Sequence, residues 1–578
     1  MRLPTSLRAV WQLGFWPAAL NGLYKLGLAA GVFPVRAPAP ADAALQPIFP
    51  PPVISDDPLP EAGEILSGRV RLFGAEAVPL RLAPSAPLRP WTAYESLPAD
   101  GDIKAIWEPA RFAFVFPLGR AFLKTGDPRF AAAFWRYFEE FEAANPPYFG
   151  ENWMSGQEAG LRLMAFCWAG QIFAPAAAES TPQRLKRLSE SVAAHAQRIP
   201  PTLLYARAQN NNHLLTEAAA LYTAARALPA HPRAAQWRRL GKNWLAWCFS
   251  HQFDAEGEYI QHSSNYQRLA LRTAQWIFEI AAGEFDAFLP TLQKAARWLA
   301  ARTDPLSGRA CNLGANDGAN IFPVSSAPGW DFRPLFQPGQ PIRAGLEKAP
   351  AWHHLRVKRY FNRPSHADHL HLDLWLNGLN LALDPGTFSY NAAPPWDNGL
   401  TTALVHNTLT VDGRDQMTRA GRFLYLDWGI SRWLDENSAE SEAYARLGLL
   451  HRRKIETLPA GWRVRDEALF TRPGPVRKLR LHWLLADLPW KFSALENGAA
   501  LILRAAFGEV KIRLESDFAA QVSLFRAGES LLAAAPADPI RGWASPLYGQ
   551  RLPALSLALE VESAQTTHFV TTIERNDE

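Results

Sequence analysis

Three short stretches of the chain gather side chains that can move protons, neutralise anions or hold a metal. The first is Gln209-Asn210-Asn211-Asn212-His213, directly before the apolar helical run Leu214 to Ala224. Asparagine is a good helix N-cap, so capping accounts for one of the three amides. Consecutive amides beside a histidine at a helix start also offer donors to an anionic ligand. The second stretch, Tyr259 to Arg268, leads into another helical pattern and carries His262 and Tyr266 four residues apart. If helix begins that early, both share one face, and the residues around them are too polar for an ordinary core.

The third gathering is Ser365-His366-Ala367-Asp368-His369-Leu370-His371, then Asp384-Pro385-Gly386-Thr387, then His406-Asn407-Thr408. Histidines beside a carboxylate suit a zinc or other transition-metal site, and equally a general base. Register decides which imidazoles meet Asp384. Leucines alternate from Leu370 to Leu376, and Asn377-Gly378 is a strong two-residue hairpin signal. With that turn, Leu376 pairs with Leu379, Leu374 with Leu381, and His371 with Asp384, which puts His369, His371 and Asp384 on one polar face. A three-residue turn, or a bulge near Ala367 or Asp368, brings His366 to that side instead.

The elements that must position these groups follow from composition. A chain of 578 residues exceeds what one hydrophobic core usually serves. With 48% hydrophobic and 20% charged residues it can bury a large core. A net charge of +5 spread over this length gives no reason to expect a nucleic-acid partner. Three scattered cysteines, Cys167, Cys248 and Cys311, exclude a disulfide framework. The apolar stretch Ala9 to Val35 is interrupted by Asn21 and Lys25. We therefore expect a packed amphipathic helix there, with no conventional signal peptide and no integral membrane segment.

Residues 1–95 read as that helix plus a proline-rich wrapping segment, Pro34 to Pro60, belonging to the helical unit. From Asp102 to Ala301, Ala/Leu/Trp/Arg-rich stretches have helical periodicity, which makes 96–345 a helical unit. After a Gly/Asn/Pro-rich passage, Gly314 to Gly339, alternating segments (His369–Leu376, Val405–Val411, Val476–Leu485, Ala500–Ala505, Val510–Leu514) make 346–578 a β unit. The expected fold is multidomain, α then β.

Taken together, the motifs resemble the heparinase II/III superfamily of polysaccharide lyases. The resemblance rests on Gly101 to Glu108 with Arg111, Thr125 to Asp127, Asn145 to Pro147, Gly150 to Ser155 with Glu158 and Arg162, and Asn211 to His213. It continues through Ser263 to Tyr266, Ser365 to Asp368, Asp384 to Gly386 and His406 to Thr408. It implies an incomplete (α/α) toroid followed by an antiparallel β-sandwich. It also implies β-elimination on a uronic-acid-containing acidic polysaccharide, with Asn212 neutralising the carboxylate and Tyr266 as base and acid. His366 assists, with His366 or His406 as base for the opposite C5 configuration. A divalent metal, most plausibly zinc, falls to His366, Asp384 and His406, with His369 or His371 as alternative imidazoles. Substrate contacts are expected from Asn211, His213, Trp107, Arg111, Asn152, Trp153, Arg162, His262 and Arg268, although each arginine also reads as one half of an ion pair. Gln267 stands where many members have a histidine. Two other readings remain: a glycoside hydrolase using Glu108, Glu158 or Glu217, and a non-catalytic polysaccharide-binding or export factor.

Overall fold

The computed structural model describes residues 4–50, 57–85, 87–94, 102–318, 351–421, 423–532 and 536–576. Most of the Gly314 to Gly339 passage, Gly101 and part of the 34–60 segment lie outside the described residues. Thirteen α-helices occupy the first 300 residues described. They are α1 (Thr5–Leu13), α2 (Phe15–Ala29), α3 (Leu59–Leu66), α4 (Lys104–Ala110), α5 (Val115–Thr125), α6 (Pro128–Ala144) and α7 (Gly156–Phe173). Next come α8 (Pro182–Arg198), α9 (Leu203–Gln209), α10 (Asn212–Ala227), α11 (Ala234–His251), α12 (Ser264–Ile280) and α13 (Leu289–Ala300).

Their boundaries obey local chemistry. Asp127, Ser155, Thr181 and Ser263 cap α6, α7, α8 and α12 with side-chain oxygens, and Gly126 ends α5 in the left-handed region at φ 71°. Helices α7 and α10 are buried on nearly every face, including Leu161, Phe166, Leu215 and Tyr222, so they form the inner wall of the toroid. The described part of the extended segment before α3 is hydrogen-bonded to this unit. Ile48 and Phe49 N–H groups donate to Gln171 Oε1 at 2.8 and 2.9 Å, and Gln46 N–H donates to the Ala227 carbonyl at 2.7 Å. The apolar stretch near the start falls in two helices broken at Gly14; α2 packs its Tyr24 ring against Tyr205 of α9 at 4.8 Å and has no fully buried residue.

Among the described residues the β half holds two large antiparallel sheets with their own apolar core, and two small two-stranded ones (418–421 with 424–426, and 543–544 with 552–553). One large sheet runs in the order 490–495, 498–505, 508–516, 567–575, 461–470, 449–458, 438–441, 431–433. The other runs 529–530, 521–526, 555–563, 477–485, 379–382, 372–376, 352–355, with 409–411 paired to 477–485.

The Asn377-Gly378 turn forms as expected, with φ 49° and 78°, and Leu376 pairs with Leu379. Beyond it the leucine ladder fails. A bulge between Leu374 and Trp375 makes Leu374 face Ala382 instead of Leu381. The strand begins at Leu372, not His369, and Leu370 is left-handed at φ 57°. Buried His366, Asp368, His369 and His371 each need a polar partner, which a regular ladder would deny them.

Candidate functional site

The three asparagines before α10 have three different tasks. Asn210 ends α9 in the left-handed region at φ 46°, which a short polar side chain tolerates. Asn211 caps α10, accepting the His213 N–H at 3.0 Å. Asn212 points inward and is buried; its side-chain amide donates to Gln157 Oε1 at 3.1 Å. Its backbone N–H donates to Gln261 Oε1 at 2.9 Å, within the loop that leads into α12.

Tyr266 lies in the first turn of α12, where the N-cap Ser263 accepts its N–H at 3.2 Å. Its hydroxyl donates to Asp317 Oδ2 at 2.9 Å. That carboxylate also accepts from Asn265 Nδ2 at 3.1 Å and Lys104 Nζ at 2.5 Å. Burial works against ionising Asp317, but the Lys104 and Arg111 charges outweigh it and hold the carboxyl at about 2. Burial, and then the Asp317 charge, push the Tyr266 phenol well above its ordinary value. The resting phenol is therefore neutral and carries a proton it can give.

Asp317 reaches Tyr266 because the segment 311–318 bridges the two halves. Leu313 O accepts from Ser264 N–H at 3.0 Å on the helical side. On the β side, Ala315 N–H donates to Ser365 Oγ at 3.1 Å and Asn316 N–H donates to Thr387 Oγ1 at 3.2 Å. Gly314 sits at φ 65°, and a Cβ there would come within 2.4 Å of the His262 carbonyl oxygen. Gly314→Ala is accordingly expected to cost about 3 kcal/mol. Calorimetric melting reads this, and an unchanged transition would show that the bridge accommodates a side chain.

The β half brings His366, Asp368, Asp384 and His406 together, with ligand atoms all within 4.8 Å and all four residues buried. Asp384 Oδ1 accepts the Gly386 N–H at 2.8 Å, while Oδ2 has no hydrogen-bond partner. Oδ2 stands 3.7 Å from His406 Nε2 and 3.7 Å from His371 Nε2. These separations are too long for hydrogen bonds. They do suit donors around one ion, since ligand atoms about 2.1 Å from a tetrahedral metal are about 3.4 Å apart. Burial pushes the Asp384 carboxyl up to about 8, against the lowering charge of His371. The donor set therefore fits a divalent metal. His366 lies with Nδ1 3.3 Å from His406 Nε2 and Nε2 3.2 Å from Thr387 Oγ1, the hydroxyl that also accepts from Asn316.

The extra imidazoles are placed differently: His371, with Asp373 and Asp384, forms a second buried group whose ligand atoms lie within 4.8 Å of one another. His371 Nδ1 accepts the Asn407 N–H at 3.0 Å, so Nε2 carries the proton and donates to Asp373 Oδ2 at 3.2 Å. His369 faces Ser431 Oγ at 3.1 Å.

The expected substrate contacts divide. Arg111 is buried and grips Glu158 through two bonds of 2.7 and 2.8 Å, with Glu108 as a further partner. Arg162 is fully buried; it donates to His195 Nε2 and to the carbonyls of Ala110 and Asn152 at 2.7–2.8 Å. Asn152 and Trp153 both donate to Asn145 from inside the helical core. In this structure these four act as struts, and the two buried guanidinium groups spend their donors internally. The same holds for two of the glutamates open to a hydrolase, Glu108 and Glu158. His262 is buried against Glu258 Oε1 at 3.0 Å. Trp107, His213 and Arg268 are half-buried; Trp107 donates to the Glu151 carbonyl and His213 lies 3.9 Å from Glu217 Oε1.

Lys104, Gln157, Asp317, Asp368 and Thr387 were not singled out by residue type. Lys104, Asp368 and Thr387 lie inside local motifs of the sequence, while Asp317 has no local signal, being one polar residue in a loop 51 positions from its partner.

The family model for the heparinase II/III N-terminus matches residues 91–304, and the heparinase II/III-like C-terminal model matches 357–572. Among solved structures, heparinase III is 15% identical with TM-score 0.66, over 97% of this chain and 91% of that one. Heparan sulfate lyase HepC from Pedobacter heparinus is 16% identical with TM-score 0.51, over 97% and 89%. No functionally curated protein is matched by the sequence.

Proposed function

The chain belongs to the heparinase II/III-like family, and from that premise we propose that it is a polysaccharide lyase cleaving a uronic-acid-containing acidic polysaccharide by β-elimination. The observation that carries the reading is the line of contacts joining a neutral phenol to an imidazole across the two halves. Tyr266 donates to Asp317, the neighbouring Asn316 donates to Thr387, and Thr387 meets His366.

The C5 proton of a uronate is weakly acidic because the adjacent carboxylate is already negative. Asn212, turning its amide from Gln157 to that carboxylate, stabilises the charge that develops as C5–H breaks. The proton passes to neutral His366 at Nε2, the bond from C4 to the glycosidic oxygen breaks, and the C4–C5 double bond forms. Tyr266 gives its proton to the leaving oxygen, completing the balance. Asn212, Tyr266 and His366 are all nearly sealed from solvent, so substrate entry includes opening of the junction between the halves.

A divalent metal, zinc by its mixed imidazole and carboxylate donors, would be held by Asp368, Asp384 and His406, and would supply a fixed positive charge beside His366. This ligand set leaves His366 free for the proton, in place of the His366, Asp384, His406 set implied by resemblance.

Incubation with heparan sulfate, other glycosaminoglycans, alginate and bacterial exopolysaccharides tests the reading. Ultraviolet absorbance from an unsaturated uronate is expected on one class. New reducing ends without it would mean hydrolysis, and binding without either would mean a scaffold. Asn212→Ala is expected to lower turnover about 100-fold or more with a modest loss of polymer binding. Lost binding with unchanged turnover at saturation would remove the amide from the elimination step.

A further inference from the structure

We propose that the N-terminal helix pair is a membrane-surface anchor, which lays one edge of the molecule on an anionic phospholipid bilayer. Helices α1 and α2 hold the protein by one side only. Arg8 Nη1 bonds Asp427 Oδ2 at 2.7 Å and Gln12 Oε1 accepts the Asp427 N–H at 2.8 Å, which ties α1 to the β half. The Tyr24 ring of α2 lies 4.8 Å from Tyr205 of α9 in the helical half.

The other side is apolar and faces solvent. Leu7, Trp11, Phe15, Trp16, Leu23 and Leu26 are exposed, Trp11 at 82% and Trp16 at 72%. Their spacing follows the helical repeat along each helix, so they form stripes and not scattered side chains. An exposed apolar patch of this kind on a folded protein marks an interaction surface. Among the described residues no helix is long and apolar enough to cross a membrane, and α2, at 15 residues, falls short of a bilayer core of about 30 Å. Lying in the interface plane is what an amphipathic helix with tryptophan on its apolar face does.

Charge selects the occupant. The first 41 residues contain four Lys or Arg and no Asp or Glu. Arg8 is engaged by Asp427, while Lys25, next to Leu26 of the stripe, and Arg36 are exposed. Basic residues without acidic ones, flanking an aromatic face, match anionic headgroups. A second copy of the chain fits less well, because two-fold pairing would set these same cations against each other with no acid to answer them. The anchor bridges both halves, and α9 runs from it to the Asn210-Asn211-Asn212 corner. A bound molecule would therefore work on polymer close to the lipid surface.

Co-sedimentation of the full chain with sucrose-loaded vesicles tests this. The protein is expected to pellet with phosphatidylcholine vesicles containing phosphatidylglycerol, less as salt is raised, and little with phosphatidylcholine alone. The combined variant Trp11→Ser, Phe15→Ser, Trp16→Ser should lose partitioning by about tenfold or more with its melting transition unchanged. Should that variant fail to fold, Lys25→Glu decides, since it should weaken binding to the anionic vesicles only. The proposal is overturned if the unmodified protein stays in the supernatant with anionic vesicles, or if the substituted proteins bind as it does. It is equally overturned if sedimentation velocity shows a dimer that the serine substitutions dissolve while vesicles remain unbound, because the stripe would then be an interface between copies.

Discussion

Tyr266→Phe is expected to lower elimination by about a thousandfold while the protein stays folded. The substitution removes one hydroxyl and leaves a ring of the same volume in its packed position. The lost bond to Asp317 ends at a carboxylate still held by Lys104 and Asn265, so stability should fall by no more than about 2 kcal/mol. Single-turnover kinetics on the substrate found by ultraviolet absorbance would read the chemical step directly. Near wild-type elimination in folded Tyr266→Phe would remove the phenol from the reaction. The pH profile separates the two roles open to it. Burial and Asp317 keep the phenol protonated well past its ordinary range. A proton donor must be protonated, so turnover should fall only when the phenol ionises, far on the alkaline side. A rising limb through the ordinary phenol range would instead show a tyrosinate acting as base, and His366 would lose the C5 proton assigned to it.

How far such a site can be read before the structure is seen depends on whether its groups are local in sequence. The change from helical to alternating periodicity, the Asn377-Gly378 turn and the amides before α10 are local, and each appears where the pattern puts it. The hairpin register departs from the leucine alternation because that alternation gives no sign of the bulge at Leu374/Trp375. Asp317 could not be read at all, since its meaning comes from Lys104 and Tyr266, which only the fold brings to it. Arg111 and Arg162 looked like anion ligands because guanidinium groups serve both surfaces and interiors. Burial decides between those uses, and periodicity along α4 and α7 does not report what the neighbouring helices supply. The helix pair at the start shows the limit of periodicity: α2 does pack one side against α9, yet among the described residues Trp11, Phe15 and Trp16 of the pair's apolar stripe stay exposed.

Asp384→Asn should separate a metal centre from a hydrogen-bonded cluster. The amide is nearly isosteric, keeps an oxygen for the Gly386 N–H and introduces no charge. In a cluster held only by hydrogen bonds, Oδ2 has no partner to lose, so the substitution should be close to neutral. Around a divalent ion it removes one of two anionic ligands beside Asp368, and the neutral amide is a far poorer donor to zinc. Protein purified without chelator or metal-affinity resin is therefore expected to contain near-stoichiometric metal, and both Asp384→Asn and His406→Ala should be largely depleted. Metal bound to the folded form alone stabilises it by mass action, about 4 kcal/mol at a thousandfold excess over the dissociation constant. Chelation of the unmodified protein should therefore lower its melting temperature by several degrees and leave that of Asp384→Asn unmoved. Full activity in a protein that elemental analysis finds free of metal, together with a harmless Asp384→Asn, would leave only the buried His-Asp-His cluster. His366 would then be set by Thr387 and His406 alone, and the C5 proton would still have its acceptor.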